Sequence, residues 1–477
     1  MYKFKCIIKT KPRMKRILLF LFIICVTNSL FGQTENYKKV IDSFQSNYNT
    51  GIYDEIFNSF SPEMQEVLPL ENNRQFLKGL KTQVGKIVKK EFVNNEDGTG
   101  AIYKTQFELA VLGIYITLDD KNKIAGLLIK PYEEPETTES ANINALDNYP
   151  NEIAEIIFSK TNNLPNNTQL SIAVIQNGKV DYYGVIRIDE TIKSIENQNG
   201  IFEIGSITKV FTSTVLASLV KDEKIKLTDE INTFYPSDFK DNIKITFESL
   251  ANHTSGVARL PENLDLSNTS NPYKNYGDKE IEEYLKSLLR RNSEPSESYA
   301  YSNLGTGLLG HTLGISQKTT FQDLLRKKVF EKYDMNNSFT TSKNLENRLI
   351  KGMDKKGNIV TNWDFDMLFG CGGILSTTQD LTKFVFAQFD DTNKELELTR
   401  RPTFEIDKDF KIGLGWHILK SKSGNDLFWH NGGTGGYSSS LTMDVENKKA
   451  VIILSNVAQI NKNIDDLGIE LINRIEK

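Results

Sequence analysis

Between residues 37 and 83 the apolar positions recur at helical spacing, and from 87 to 129 they alternate with polar ones. The first stretch predicts three helices, Tyr37 to Tyr48, Tyr53 to Phe60 and Arg74 to Gln83. The second predicts four strands, Ile87 to Val93, Ala101 to Leu109, Gly113 to Leu118 and Ile124 to Ile129. Asp97-Gly98 and Asp119 to Asn122 supply turn chemistry between them. Together residues 33–132 form one small α+β unit. Residues 133–147 lose both periods, are rich in Glu, Thr, Pro and Asn, and read as a linker. A second unit, 148–477, opens with a helix at Asn151 to Thr161. A hairpin follows, Gln169 to Gln176 and Lys179 to Val185, around Asn177-Gly178. Strands return at Asp426 to Trp429, Tyr437 to Val445 and Ala450 to Leu454, before a last helix at Ile464 to Ile475. Strands at both ends with helices between them predict an antiparallel β-sheet flanked by helices, with a helical subdomain inserted.

Within that helical region, Val210, Phe211, Val215, Leu216, Leu219 and Val220 mark an amphipathic helix that begins just after Ser206. Residues i and i+3 share a helix face, so the Lys209 amine can reach the Ser206 hydroxyl and take its proton. Unpaired N–H groups at the helix start can bind a developing oxyanion. Ser-x-x-Lys by itself also describes an ordinary N-cap serine with a lysine in the first turn. A second copy, Ser237 to Lys240, follows Pro236 and precedes no apolar stripe, so it reads as a solvated turn.

Two further segments carry more. Tyr301-Ser302-Asn303 precedes a glycine-rich apolar run, Gly305 to Gly310. His430-Asn431-Gly432-Gly433 opens a run holding four glycines, between strand-like runs. Glycine weakens a strand and usually marks close approach of a backbone or a ligand. Ser206-x-x-Lys209, Tyr301-x-Asn303 and His430-x-Gly432, in this order, resemble the serine beta-lactamase and penicillin-binding-protein superfamily. The nearest branch is the one holding class C beta-lactamases, D-Ala-D-Ala carboxypeptidases, D-aminopeptidases and related esterases. Flanking segments agree: Leu250 to Gly256 with His253, Gly372 to Thr377, and Gly413 to Trp416.

The resemblance, spanning about residues 148 to 477, implies a serine hydrolase working through an acyl-enzyme. Ser206 is then the nucleophile, with Lys209 and Tyr301 sharing its proton; which of the two is the formal base stays open. Asn303 should orient a substrate amide and hold Lys209. The N–H groups of Ser206 and Gly433, beside Gly432 on the edge strand, should form the oxyanion hole. His430 stands where beta-lactamases carry lysine. An imidazole is only partly charged near neutrality, so D-amino-acid peptides, small amides and esters are favoured over beta-lactams. Capping and turn formation account for His253 better than a role as base. Trp363 and Phe369 belong either to the pocket lining or to the core. Residues 34–132, by element order alone, resemble the NTF2-like cone fold.

The first 32 residues hold seven of the chain's 58 Lys/Arg, no acid, and the apolar run Ile17 to Val26. Ten apolar residues are too few to span a bilayer and fit a signal-peptide core, with Gly32 suited to cleavage. Export to the periplasm or beyond is expected. Removing these residues leaves 51 bases against 62 acids, a net charge near −11. That balance disfavours nucleic acid or an anionic membrane as partner. A small molecule or peptide, including a peptidoglycan-derived one, is the expected substrate. Only Cys371 then remains, so no internal disulfide is expected. The four histidines lack metal-ligand spacing, and neither metal nor cofactor is expected.

Overall fold

The computed structural model describes residues 35–94, 100–108, 110–132, 140–265, 270–291, 293–421, 423–458 and 462–475. The expected signal peptide and the Asp97-Gly98 turn lie outside them. The chain divides into two compact units, 1–136 and 137–477.

In the first unit, helices at 35–50, Tyr53–Asn58, Pro62–Val67 and Leu70–Val84 precede the strands Ile87–Asn94, Ala101–Phe107, Val111–Leu118 and Ile124–Pro131. Among the described residues there are four helices where three were expected. Pro62 disfavours helix in the residue before it, so the Tyr53 helix stops at Asn58. Ser61 then caps a new short helix, accepting from the Met64 N–H at 3.2 Å. The strands pair antiparallel in sequence order. Tyr37, Ile41, Phe44 and Tyr48, one face of the first helix, pack on Tyr103, Ile114 and Ile116 of the sheet.

The second unit is built on a ten-stranded sheet. From one edge the strands run Phe404–Glu405, Phe410–Ile412, His417–Lys420, Asp426–Gly433, Ser438–Asp444, Lys449–Ser455, Gln169–Gln176, Lys179–Ile188, Thr191–Ile195 and Ile143–Ala145. The Asn177-Gly178 hairpin forms as expected, with positive φ at both positions (54° and 72°). Nine strands pair antiparallel, but Ile143–Ala145 adds a parallel edge to Thr191–Ile195. Part of the expected linker therefore belongs to this fold. Its Ala141 and Leu146 are buried with Ile157 and Ile192, an anchor too sparse to show against a polar background.

Both faces of the sheet are covered. Ala173, Ile175, Ala450, Ile452 and Leu454 face a core shared with the helical region. Their alternating neighbours Ile172, Val174, Val451 and Ile453 face the helices Asn151–Thr161 and Lys462–Ile475. Burial on both sides explains why these strands read as unbroken apolar runs. The helix Thr208–Lys221 lies inside the first core, with every residue from Thr208 to Leu219 buried. Within it the Thr212 hydroxyl donates to the Gly370 carbonyl at 2.7 Å and the Thr214 hydroxyl to the Val210 carbonyl at 2.9 Å.

Asp380, fully buried at the start of the helix Thr378–Gln388, ties this region together. It accepts from the Asn337 N–H (2.5 Å) and the Ser338 hydroxyl (3.0 Å) and pairs with Lys383 (3.0 Å). Asp380→Ala leaves these donors unpaired and should destabilise the protein by about 2–3 kcal/mol, read as a lowered denaturant midpoint with unchanged slope.

Candidate active site

The turn carrying Ser206 is set by backbone. Gly205 adopts φ +51° and opens a single 3-10 turn, Gly205–Ile207, which runs directly into the helix at Thr208. Ser206 caps nothing with its side chain. Its Oγ instead accepts from Lys209 Nζ at 3.0 Å. The N-cap alternative for Ser206 is thereby excluded. Lys209 is wholly buried, and its second hydrogen bond, 2.6 Å, goes to the Cys371 carbonyl. Among the described residues no carboxylate pairs with it. An amine held between a carbonyl and a serine oxygen is fixed where it can exchange a proton with that oxygen.

Tyr301 lies alongside, its ring centroid 4.9 Å from Lys209 Nζ. No hydrogen bond among the described residues engages its hydroxyl, and the side chain is half-buried. The segment carrying it is braced from behind. Ser302 N–H donates to His253 Nδ1 at 3.2 Å, and Ala300 N–H donates to the His253 carbonyl at 2.9 Å. His253 is buried with φ +61°, so the turn role expected for it includes positioning the Tyr301 segment.

Asn303 requires a correction. Its Nδ2 donates to the Tyr273 hydroxyl at 3.0 Å, and no hydrogen bond joins it to Lys209. The Cys371 carbonyl takes that place, a main-chain group whose presence no side-chain motif announces. Asn303 Oδ1 is buried without a protein partner. Tyr273 stacks on Phe365 (4.8 Å) and meets Trp363 edge-on (5.4 Å), so Trp363 joins an aromatic wall reaching the Tyr301 segment. Phe369 is core, packed on Phe321.

The strand Asp426–Gly433 is interior to the sheet, where an edge strand was expected. Its outer neighbour pairs only as far as His417 opposite Trp429. From His430 to Gly433 the strand is therefore paired on one side alone, opposite Leu441 to Ser438. The free side meets the nucleophile turn. A β-carbon on Gly432 would stand 2.1 Å from the Ile204 carbonyl and 2.8 Å from the Ser206 nitrogen. One on Gly205 would stand 2.6 Å from the Gly433 nitrogen. Only glycine permits this approach, which brings the Ser206 and Gly433 nitrogens onto facing segments.

His430 is buried, with Nδ1 2.6 Å from the Asn431 carbonyl and Nε2 without a partner among the described residues. Its ring lies 6.3 Å from Tyr301 and 5.1 Å from His417. His417 was not singled out in the sequence, although it directly follows the Gly413 to Trp416 segment. Its Nε2 is 2.9 Å from the Tyr299 hydroxyl. Three of the four histidines thus surround Tyr301. Burial holds the imidazoles of His253 and His430 well below their ordinary value and that of His417 near about 4. Neighbouring groups add to the effect, Lys209 first at His253 and His417, and His417 before Lys209 at His430. The cluster is therefore neutral at physiological pH.

Because the unfolded chain takes up these protons near pH 6.5 and the folded chain does not, imidazole burial favours unfolding as pH falls. Their contribution should lower the melting temperature between pH 6.5 and about 4, and His417→Gln should make that decline shallower. An identical decline in the variant would show that His417 does not contribute. Cys371 is buried and its thiol is pushed up to about 11 by desolvation. The native protein should resist thiol reagents until denatured.

A model of the family described as Beta-lactamase matches residues 167–470. The chain belongs to that family. It is a serine hydrolase of that family, and its Ser206 and Lys209 are in contact as described above. A model described as a protein of unknown function (DUF3887) matches 42–127, within the separate first unit. The chain is 29% identical over 259 residues to "Beta-lactamase" of Pseudomonas fluorescens, covering 52% of this chain and 69% of that one. It spans between 51% and 69% of the length of the first relatives it matches. Two solved structures share the fold at TM-score 0.57. "A class C beta-lactamase" is 20% identical, covering 67% of this chain and 94% of that one. A "Beta-Lactamase/D-Alanine Carboxypeptidase from Pseudomonas syringae" is 19% identical, covering 67% and 98%.

Proposed function

We propose that this protein is an exported hydrolase that cleaves amide or ester bonds of D-amino-acid peptides or related small molecules through an acyl-enzyme on Ser206. The observation that carries the reading is the 3.0 Å contact between buried Lys209 Nζ and Ser206 Oγ, beside glycine backbone at 432 and 433. The Ser206 hydroxyl transfers its proton toward Lys209 and Tyr301 as Oγ attacks the carbonyl carbon. The carbonyl oxygen, gaining the electron pair, is received by the N–H groups of Ser206 and Gly433. The proton passes to the leaving amine or alcohol as the tetrahedral species collapses, and water then releases the acyl group by the same steps.

A true beta-lactamase is the second reading, favoured by the name of the Pseudomonas fluorescens relative. The neutral His430 supports the peptidase and esterase reading, because it offers no permanent charge where beta-lactamases carry lysine. The test is to expose the mature protein to a labelled fluorophosphonate and a labelled penicillin and to locate adducts by mass spectrometry. Fluorophosphonate label on Ser206, with a penicillin adduct that persists, is the expected result. Rapid penicillin turnover would transfer the case to the lactamase. No adduct from either probe would mean a catalytically idle member of the fold, binding cell-wall material or serving as a sensor.

A further inference from the structure

Arg259 lies three residues beyond the His253-Thr-Ser-Gly segment and was not singled out in the sequence. Its guanidinium carbon is 5.1 Å from the centroid of the Tyr301 ring. The backbone beneath it is bonded to the Tyr301 segment at three points. The Ser302 hydroxyl donates to the Ala258 carbonyl (2.6 Å), and the N–H groups of Asn303 and Leu304 donate to the Arg259 carbonyl (3.0 and 3.1 Å). The side chain is exposed, and among the described residues no carboxylate pairs with it. The nearest arginines differ: Arg290 is paired with Glu262 and Arg291 with Glu294.

Among the described residues, the charged and titratable groups recorded against the Tyr301 ring are Lys209, Arg259 and three histidines. Lys209 sits against the same ring, and Tyr273, Tyr299 and His253 all feel the Arg259 charge. Burial holds His253, His417 and His430 in their uncharged forms. An arginine that covers a ring with its planar face keeps the N–H edge of the guanidinium available, and that edge matches the two oxygens of a carboxylate. A cation with no carboxylate paired to it attracts and orients anionic substrate. We propose that Arg259 forms a carboxylate-binding subsite beside Tyr301, so that the molecule acylating Ser206 carries a free carboxylate held by this guanidinium. The inference rests on the acyl-enzyme reading above and names the chemical class of its substrate. It also supplies the cation that His430 does not.

The subsite is tested with two probes, phenylboronic acid and its meta-carboxy derivative, each competing against fluorophosphonate labelling of Ser206. In the wild-type protein the carboxylated probe should bind about tenfold or more tighter than the neutral one, since a charge-assisted pair contributes about 1.5–3 kcal/mol. In Arg259→Gln that ratio should fall close to one, and in Arg259→Lys it should recover in part. A merely structural role would weaken both probes together and leave the ratio as it was. Equal binding of the two probes by the wild type, or a ratio that survives Arg259→Gln, overturns the subsite while Ser206 labelling still stands. Failure of the wild type to label at Ser206 removes the acyl-enzyme reading itself.

Discussion

Lys209→Met should yield a folded protein whose Ser206 reacts with fluorophosphonate about 10²- to 10⁴-fold more slowly, the span that a positioned proton acceptor normally contributes. Methionine has nearly the volume of the buried lysine and leaves the helix Thr208–Lys221 packed as before. What disappears is, among the described residues, the only side chain bonded to Ser206 Oγ. Ser206→Ala should abolish the adduct altogether. The double variant should turn over substrate no more slowly than Ser206→Ala alone, because residues acting in one step are not additive. Circular dichroism establishes that each variant is folded, and adduct mass against time gives the rate. Normal labelling of folded Lys209→Met would remove the lysine from the mechanism.

The second large effect is expected at Gly432. Its would-be β-carbon meets the Ile204 carbonyl at 2.1 Å and the Ser206 nitrogen at 2.8 Å, and both are backbone that cannot swing aside. Gly432→Ala must therefore push the strand away from the nucleophile turn. That separates the two N–H groups assigned to the oxyanion, and loss of one such donor costs about 10²- to 10³-fold in turnover. Ser206 and Lys209 keep their own contact, since both belong to one turn and helix. Single-turnover acylation by an ester, compared with the pH dependence of the wild type, reads the loss: the rate should drop with the profile unchanged in shape. A variant that acylates at the wild-type rate would show that the oxyanion is received elsewhere.

Much of this site was legible from the chain because its members are local patterns. Ser206 and Lys209 are three residues apart, and their contact follows from helical geometry. Gly432 and Gly433 stood out because glycines are unfavourable in a strand unless something must come close. The Asn177-Gly178 hairpin was equally local. Other features had no such signature. Lys209 is held by a main-chain carbonyl 162 positions away, which any residue at 371 would offer. Asn303 turned to Tyr273 because a partner lay within reach only after folding. His417 and Arg259 each stand next to a recognisable segment, yet nothing in their own spacing relates either to Tyr301.

The amino-acid order alone determined which groups could do chemistry and in which local setting: a serine one turn from a lysine, a phenol before a glycine-rich helix, an imidazole before paired glycines. Those properties depend on neighbours along the chain, and short-range sterics and hydrogen bonding decide them. Tertiary structure alone decided their electrical state and their company. Three histidines became neutral because packing removed the water that would solvate their charge, while Arg259 stayed exposed over the Tyr301 ring. The last strand pairing ends at Trp429, and that stop leaves His430 to Gly433 open to the nucleophile. Burial and sheet registry are sums over distant contacts, so they exist only once the whole unit has closed.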